Sequence, residues 1–249
     1  MPSFHDHFSS LAAQYAAFRP GYPAALFAHL ATLAPRRALA WDCACGTGQA
    51  SVGLAEHFAQ VIATDASARQ IAAATSHPRI RYRVAPAEAS GLADASVDLV
   101  SVAQALHWLT LAPFYAEVER VLVPQGVLAV WTYTLLRVSP PIDAVIGHFD
   151  ERVIGPYWPP ERRHVDAAYR TLDFPFAELP APALEIEQHW DLGHLLGYVG
   201  SWSATARYRE RRGEDPVSTL AAALSPLWGD PHERRRIVWP LVLRMGRRP

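Results

Sequence analysis

The chain has 249 residues, half of them hydrophobic and 19% charged, with a formal net charge of −1 and a pI near 6.8. That balance supplies no long-range field for nucleic acid or an anionic membrane surface, and no apolar run reaches the roughly 18 residues of a membrane span. All 23 basic residues are arginine, which excludes Schiff-base chemistry and a phosphate-loop lysine.

In chain order, Met1 to Phe8 carries Pro, His and Asp instead of a basic-then-apolar leader, so a soluble cytoplasmic protein is expected. Residues 8–34 read as an aromatic-rich helix and then a second helix opening at Pro23, where the missing N–H costs little; this segment is expected to lie over a ligand. Ala38 to Trp41 reads as the end of a first strand. The next residues, Asp42-Cys43-Ala44-Cys45-Gly46-Thr47-Gly48, separate it from a helix over Gln49 to Gln60, whose Val52, Leu54, Ala55 and Phe58 share one face. Glycines at 46 and 48 remove the Cβ atoms that would hold a ligand off the backbone, and they permit the positive φ that a tight strand-to-helix turn demands. Ala44, in the same turn, is expected at a φ below zero.

Val61 to Asp65 reads as strand two, ending in a carboxylate. In a doubly wound sheet that carboxylate stands beside the first turn, where it can accept hydrogen bonds from ribose hydroxyls, which suits any adenosine cofactor. The dinucleotide pattern started at Gly46 requires Gly or Ala at position 51, where this chain has Ser51. An acidic Asp42 at the strand tip repels a pyrophosphate but suits the ammonium and sulfonium of S-adenosylmethionine.

A helix near Ser67 to Ser76, strands at Ile80 to Val84 and Val97 to Ala103, a helix at Leu111 to Leu122, a turn at Pro124-Gln125-Gly126 and a strand at Val127 to Tyr133 complete an alternating pattern. It implies an α/β fold with a doubly wound, largely parallel sheet. Residues 137–182, rich in Pro, Trp, Tyr and Arg, read as a cap; a strand at Leu184 to Leu192 and a closing strand at Arg236 to Arg244 follow, with Pro240 marking an edge or a bulge. Cys43 and Cys45, the only cysteines, are too close for an internal disulfide and too few for zinc, so they read as buried fillers and no metal is expected.

Taken in order, Asp42-x-Ala44-x-Gly46-x-Gly48, Asp65, Ala87-Glu88 and Ser96-Val97-Asp98-Leu99-Val100 are similar to the motifs of class I S-adenosylmethionine-dependent methyltransferases. Tyr15-x-x-x-Arg19-Pro20-x-Tyr22-Pro23, Ala103-Gln104-Ala105-Leu106-His107-Trp108, residues 157–163 and Trp228-Gly229-Asp230-Pro231 resemble the trans-aconitate-methyltransferase-like branch. The chain departs from the family at Ala44, where glycine is usual, and at Pro86, where an acidic residue usually precedes Ala87. The resemblance implies a Rossmann-like seven-stranded sheet, mostly parallel with the last strand antiparallel beside the Leu184 strand, a helical N-terminal lid and a C-terminal cap. As one domain over 1–249 it would comprise a lid (1–35), a cofactor-binding core (36–135), and cap insertions with closing strands (136–249). S-adenosyl-L-methionine, leaving as S-adenosyl-L-homocysteine, would meet Tyr15, Arg19, Asp42, Ala44, Gly46, Gly48, Asp65, Ala87, Glu88 and Gln104.

His107, following strand four, is the candidate acid, base or substrate hydrogen-bond donor, or else packs beneath the cofactor; His164 is the second candidate. Trp108, Trp158, Arg162, Arg163 and Trp202 are candidate acceptor contacts, whereas Trp190, Tyr208 and Trp228 read as packing. The expected activity is methyl transfer to a small-molecule acceptor, leading with a carboxylate oxygen, for which arginines suit an anion. A cofactor-binding protein without catalysis and an NAD(P)-dependent oxidoreductase remain as alternatives.

Overall fold

The computed structural model describes residues 18–248, so Tyr15 and the first predicted helix lie outside the described residues. Helix α1 (Ala24–Leu33) opens after Pro23 and turns Leu26, Phe27, Leu30 and Ala31 inward. There follow β1 (Leu39–Cys43), α2 (Gln49–Ala55), β2 (Gln60–Asp65), α3 (Ala68–Ala72), β3 (Ile80–Val84), β4 (Val97–Ala103), α4 (Leu111–Val121) and β5 (Leu122–Tyr133). The cap holds α5 (Pro140–His148), a π turn at Phe149–Val153 and α6 (Arg162–Asp166). After β6 (Ala177–Leu179) and β7 (Leu184–Trp190), helices α7 (Leu192–Gly200), α8 (Ser203–Arg212) and α9 (Pro216–Trp228) lead to β8 (Arg235–Arg247).

The sheet order is β3-β2-β1-β4-β5-β8-β6, with β7 also on β8. Strands β1 to β5 pair in parallel, and β8 is antiparallel to each neighbour. Beyond β8, β7 pairs residues 235–241 and β6 pairs residues 245–247. The two lie end to end at one position, so eight strands fill the expected seven. Pro240 lies in an interior strand, at a bulge: Tyr133 faces Leu241 and Arg137 faces Val238, four steps on one chain against three on the other. The predicted turn at Pro124–Gly126 bulges out of β5, whose partners jump from Val97/Leu122 to Leu99/Val127.

Period-2 alternation divides the core. In β5, Val127, Ala129 and Trp131 face α1, α2 and the cap helices, while Leu128 and Val130 face α4. Each fully buried aliphatic side chain contributes about 1.5–3 kcal/mol. Gly53 lets α1 close on α2, since a Cβ there would lie 2.1 Å from the Phe27 ring. Asp98 fixes the start of β1 by accepting from the Ala38 and Leu39 N–H groups at 2.9 and 3.0 Å and from Arg36 Nε at 3.0 Å. Helices α2 and α3 are shorter than the sequence pattern suggests. Phe58 leaves the helix to enter the core, and residue 75 folds back so that the Thr75 N–H donates to the Thr47 carbonyl.

Candidate functional site

Parallel pairing brings the carboxyl ends of β1, β2, β3 and β4 to one edge. There the Ala44–Gly48 turn is closed by Cys45 N–H donating to the Thr64 carbonyl at 3.0 Å and Gly48 N–H to the Cys45 carbonyl at 2.9 Å. Gly46 (φ 56) and Gly48 (φ 87) adopt the predicted left-handed conformation. A Cβ on Gly48 would also lie 2.1 Å from Tyr82 Oη, a hydroxyl that donates to the Thr75 carbonyl. Ala44 corrects the sequence reading: its φ is 53, so a non-glycine residue carries left-handed strain of about 1–2 kcal/mol.

The carboxylates divide differently from expectation. Asp65 ends β2 and accepts from the Gly46 N–H at 2.9 Å and the Ser67 N–H at 2.8 Å, binding the turn to the second strand. Asp42 does not stand at an open strand tip: it is wholly buried beneath the turn, accepting from Ser51 Oγ at 2.5 Å and Ser101 Oγ at 2.7 Å. Burial pushes its carboxyl up to about 6, outweighing both serines, and Asp65 adds to the rise. Ser51, the residue that breaks the dinucleotide pattern, thus serves Asp42. Cys43 and Cys45 are buried free thiols whose ionisation burial disfavours. The Ala85 N–H donates to the Asp65 carbonyl, which sets Ala87 and the exposed Glu88 just beyond the same edge.

A cleft of about 110 Å³ adjoins β4 and the cap. Of the predicted site residues it gathers Arg19, Gln104, His107, Trp108, Trp158, Arg162 and Trp202. Arg163 does not join them. On short α6 it lies about 100° around from Arg162 and is exposed, donating to His164. Gln104 (φ 57) accepts from the Thr132 hydroxyl at 2.8 Å through Oε1, and its buried Nε2 has no partner among the described residues. Arg19 Nη1 donates to Tyr133 Oη at 2.9 Å, and its guanidinium lies 5.4 Å from the Tyr198 ring centre. Arg162 is pinned over Trp158 at 4.1 Å and paired with Asp166 at 2.7 Å and Asp150 at 3.7 Å; Asp150 in turn accepts from Trp158 Nε1 at 3.0 Å. His107 Nδ1 lies 2.9 Å from Tyr169 Oη, and its imidazole is pushed down to about 3 by burial, then by His164 and Arg162. Tyr133, Tyr169 and Tyr198, absent from the predicted set, carry much of this polar framework.

A Rossmann-like sheet with its glycine turn and acidic second strand at the carboxyl edge defines an adenosine-cofactor enzyme of the class I methyltransferase architecture. A methyltransferase-domain family profile matches residues 41–130. A Dictyostelium discoideum protein named as a methyltransferase is 33% identical over 225 residues, 89% of this chain and 86% of that one. A structure described as a type II methyltransferase from Anaeromyxobacter dehalogenans is 51% identical with a TM-score of 0.89, covering 92% of this chain and 98% of that one. A Haemonchus contortus phosphoethanolamine N-methyltransferase, solved with phosphomonomethylethanolamine and S-adenosylhomocysteine, shares the fold at 15% identity and TM-score 0.51, over all of this chain and 61% of that one. The chain belongs to the S-adenosylmethionine-dependent methyltransferases.

Proposed function

We propose that this enzyme moves a methyl group from S-adenosylmethionine to a carboxylate oxygen of a small anionic acceptor, as the trans-aconitate-methyltransferase-like branch suggests. One observation carries the acceptor class. Among the described residues the cleft is lined by two guanidinium groups, Arg19 and Arg162, by Trp108, Trp158, Trp202, Tyr133 and Tyr198, and by no Asp or Glu. Aromatic walls suit an apolar body, and a guanidinium fork suits a carboxylate.

The residues at the sheet edge fit the cofactor. Gly46 and Gly48 leave the turn backbone approachable, Asp65 at the end of β2 and Glu88 beyond β3 are offered to the ribose and adenine, and the orphan Nε2 of Gln104 offers a donor at the end of β4. Ala44 and Ala87 border these positions, and Asp42 supports the turn from below. When bound, the cofactor supplies a methyl group on a sulfonium, a good leaving group. The protein's part is to orient the acceptor oxygen about 3 Å from the methyl carbon and in line with the departing sulfur. The cap insertions that border the cleft would exclude water around that line.

Calorimetry with S-adenosylhomocysteine and with NAD tests the cofactor assignment. Binding of the former at micromolar Kd, lost in Asp65→Ala, supports it; binding of NAD alone would replace it with the oxidoreductase reading.

A further inference from the structure

We infer that Tyr169 is a positioning residue that holds His107 as the tautomer carrying hydrogen on Nε2, so that this ring meets the methyl acceptor as a hydrogen-bond donor and not as a base. The inference rests on the reading that the cleft holds the acceptor. His107 lines that cleft, and the 2.9 Å contact with Tyr169 Oη occupies its Nδ1, leaving Nε2 for the ligand.

The direction of that hydrogen bond follows from the surroundings of the phenol. Among the described residues His107 Nδ1 is the one hydrogen-bond partner of this buried hydroxyl, so an O–H turned away from it would be a buried donor without an acceptor, and the O–H is therefore given to Nδ1. Thr132 also borders the phenol, and its hydroxyl donates to Gln104 Oε1, tying the histidine support to the donor at the end of β4. Burial raises the Tyr169 phenol, which therefore keeps its proton. A histidine that acts as base is commonly backed at Nδ1 by a carboxylate, which accepts and leaves Nε2 basic. Here the backing group donates, which reverses the roles of the two nitrogens. The groups acting on the imidazole are Tyr169, the Trp108 ring at 4.9 Å, His164 and the Arg162 guanidinium, and none of them supports a second proton.

The backbone is distorted to hold the phenol there. Ala168 (φ 54) and Tyr169 (φ 57) are consecutive left-handed non-glycine residues, each strained by about 1–2 kcal/mol. Tyr169 is wholly buried, and Arg244 Nη1 clamps its carbonyl at 2.8 Å.

A donor at Nε2 selects an acceptor whose nucleophilic oxygen is already ionised. A lone pair of the carboxylate oxygen forms the O–CH3 bond while the C–S bond breaks, its electron pair staying on sulfur, and no proton changes place. A phenol, alcohol or ammonium acceptor would have to lose a proton that Nε2–H cannot take.

Side-chain 15N NMR of the full-length protein with labelled histidine, His107 being assigned by its loss in His107→Gln, reads the tautomer directly. The wild type is expected to show Nε2–H at about pH 7.5 and to remain neutral down to about pH 5, and Tyr169→Phe to convert His107 to a tautomer mixture while S-adenosylhomocysteine affinity stays near wild type. In the second arm, methyl label is transferred to a small-molecule cell extract. His107→Gln, which keeps a neutral donor and cannot act as base, is expected within about threefold of wild type, and His107→Ala to fall roughly tenfold. An Nδ1–H wild type, titration of His107 between about pH 5 and 8, or a glutamine variant as slow as the alanine one overturns the inference. If the wild type transfers no label, the acceptor-cleft reading fails on its own and the NMR spectrum still decides the tautomer.

Discussion

Replacing Asp42 with asparagine is expected to stabilise the ligand-free protein at neutral pH and to weaken the pH dependence of its stability. The carboxyl is wholly buried and raised from 3.8 to about 6 despite hydrogen bonds from Ser51 and Ser101. A carboxyl raised on folding binds its proton more tightly in the folded state. Its contribution is therefore most favourable below about pH 3.8 and is lost as pH rises through about 6. A shift of about 2 units corresponds to about 3 kcal/mol at pH 8, falling to about half of that near pH 5 and to roughly half a kcal/mol near pH 4. Asparagine has the same shape without the charge, and its amide can keep one serine as donor and one as acceptor. At about 2–4 °C per kcal/mol for a chain of this size, Asp42→Asn should melt roughly 6–12 °C above wild type at pH 8. Urea unfolding followed by tryptophan fluorescence at several pH values measures the gap. A gap that does not change with pH, or a wild type that is the more stable at pH 8, would refute the reasoning.

Ala44→Gly relieves left-handed strain of about 1–2 kcal/mol against glycine's unfolded-state entropy of roughly 0.5–1, so a net gain of about 0.5 kcal/mol is expected; a lowered melting temperature would count against the strain. Gly48→Ala places a Cβ 2.1 Å from Tyr82 Oη at a φ of 87, and it should cost at least about 2 kcal/mol and weaken S-adenosylhomocysteine binding by calorimetry. Arg19→Met should reduce ligand affinity by about 10–100-fold, the value of one charge-assisted contact, whereas Arg163→Met, on the exposed side of α6, should leave it unchanged. Phe58→Ala should destabilise by about 3–5 kcal/mol in urea unfolding, since the ring is almost wholly buried where α2 ends.

The parallel core was legible because its strands are short apolar runs punctuated by turn residues, and the glycine turn because Gly46 and Gly48 have few other purposes between a strand and a helix. Helix ends were less legible. Phe58 fits the helical face of α2 by spacing, yet the chain must straighten before β2 begins at Gln60. Ala44 was misjudged because φ belongs to the turn as a whole: the Cys45 and Gly48 hydrogen bonds fix the path, and the side chain accepts the strain. Arg162 and Arg163 were indistinguishable until the phase of α6 was known. Tyr169 left no local signal at all. Its partner His107 lies 62 residues away, and a contact made by tertiary folding between the cap and the end of β4 has no spacing to read. Trp190 and Trp228 were read as packing, and both are buried.

Incubating the purified protein with methyl-labelled S-adenosylmethionine and a small-molecule cell extract, then treating the labelled product with mild alkali, tests the central claim most directly. The proposed function predicts that label enters a small molecule and is released by alkali, as from a methyl ester. Alkali-stable label would move the acceptor atom to nitrogen, carbon or an ether oxygen and contradict the carboxylate assignment, and no label at all despite S-adenosylhomocysteine binding would contradict small-molecule methyl transfer itself.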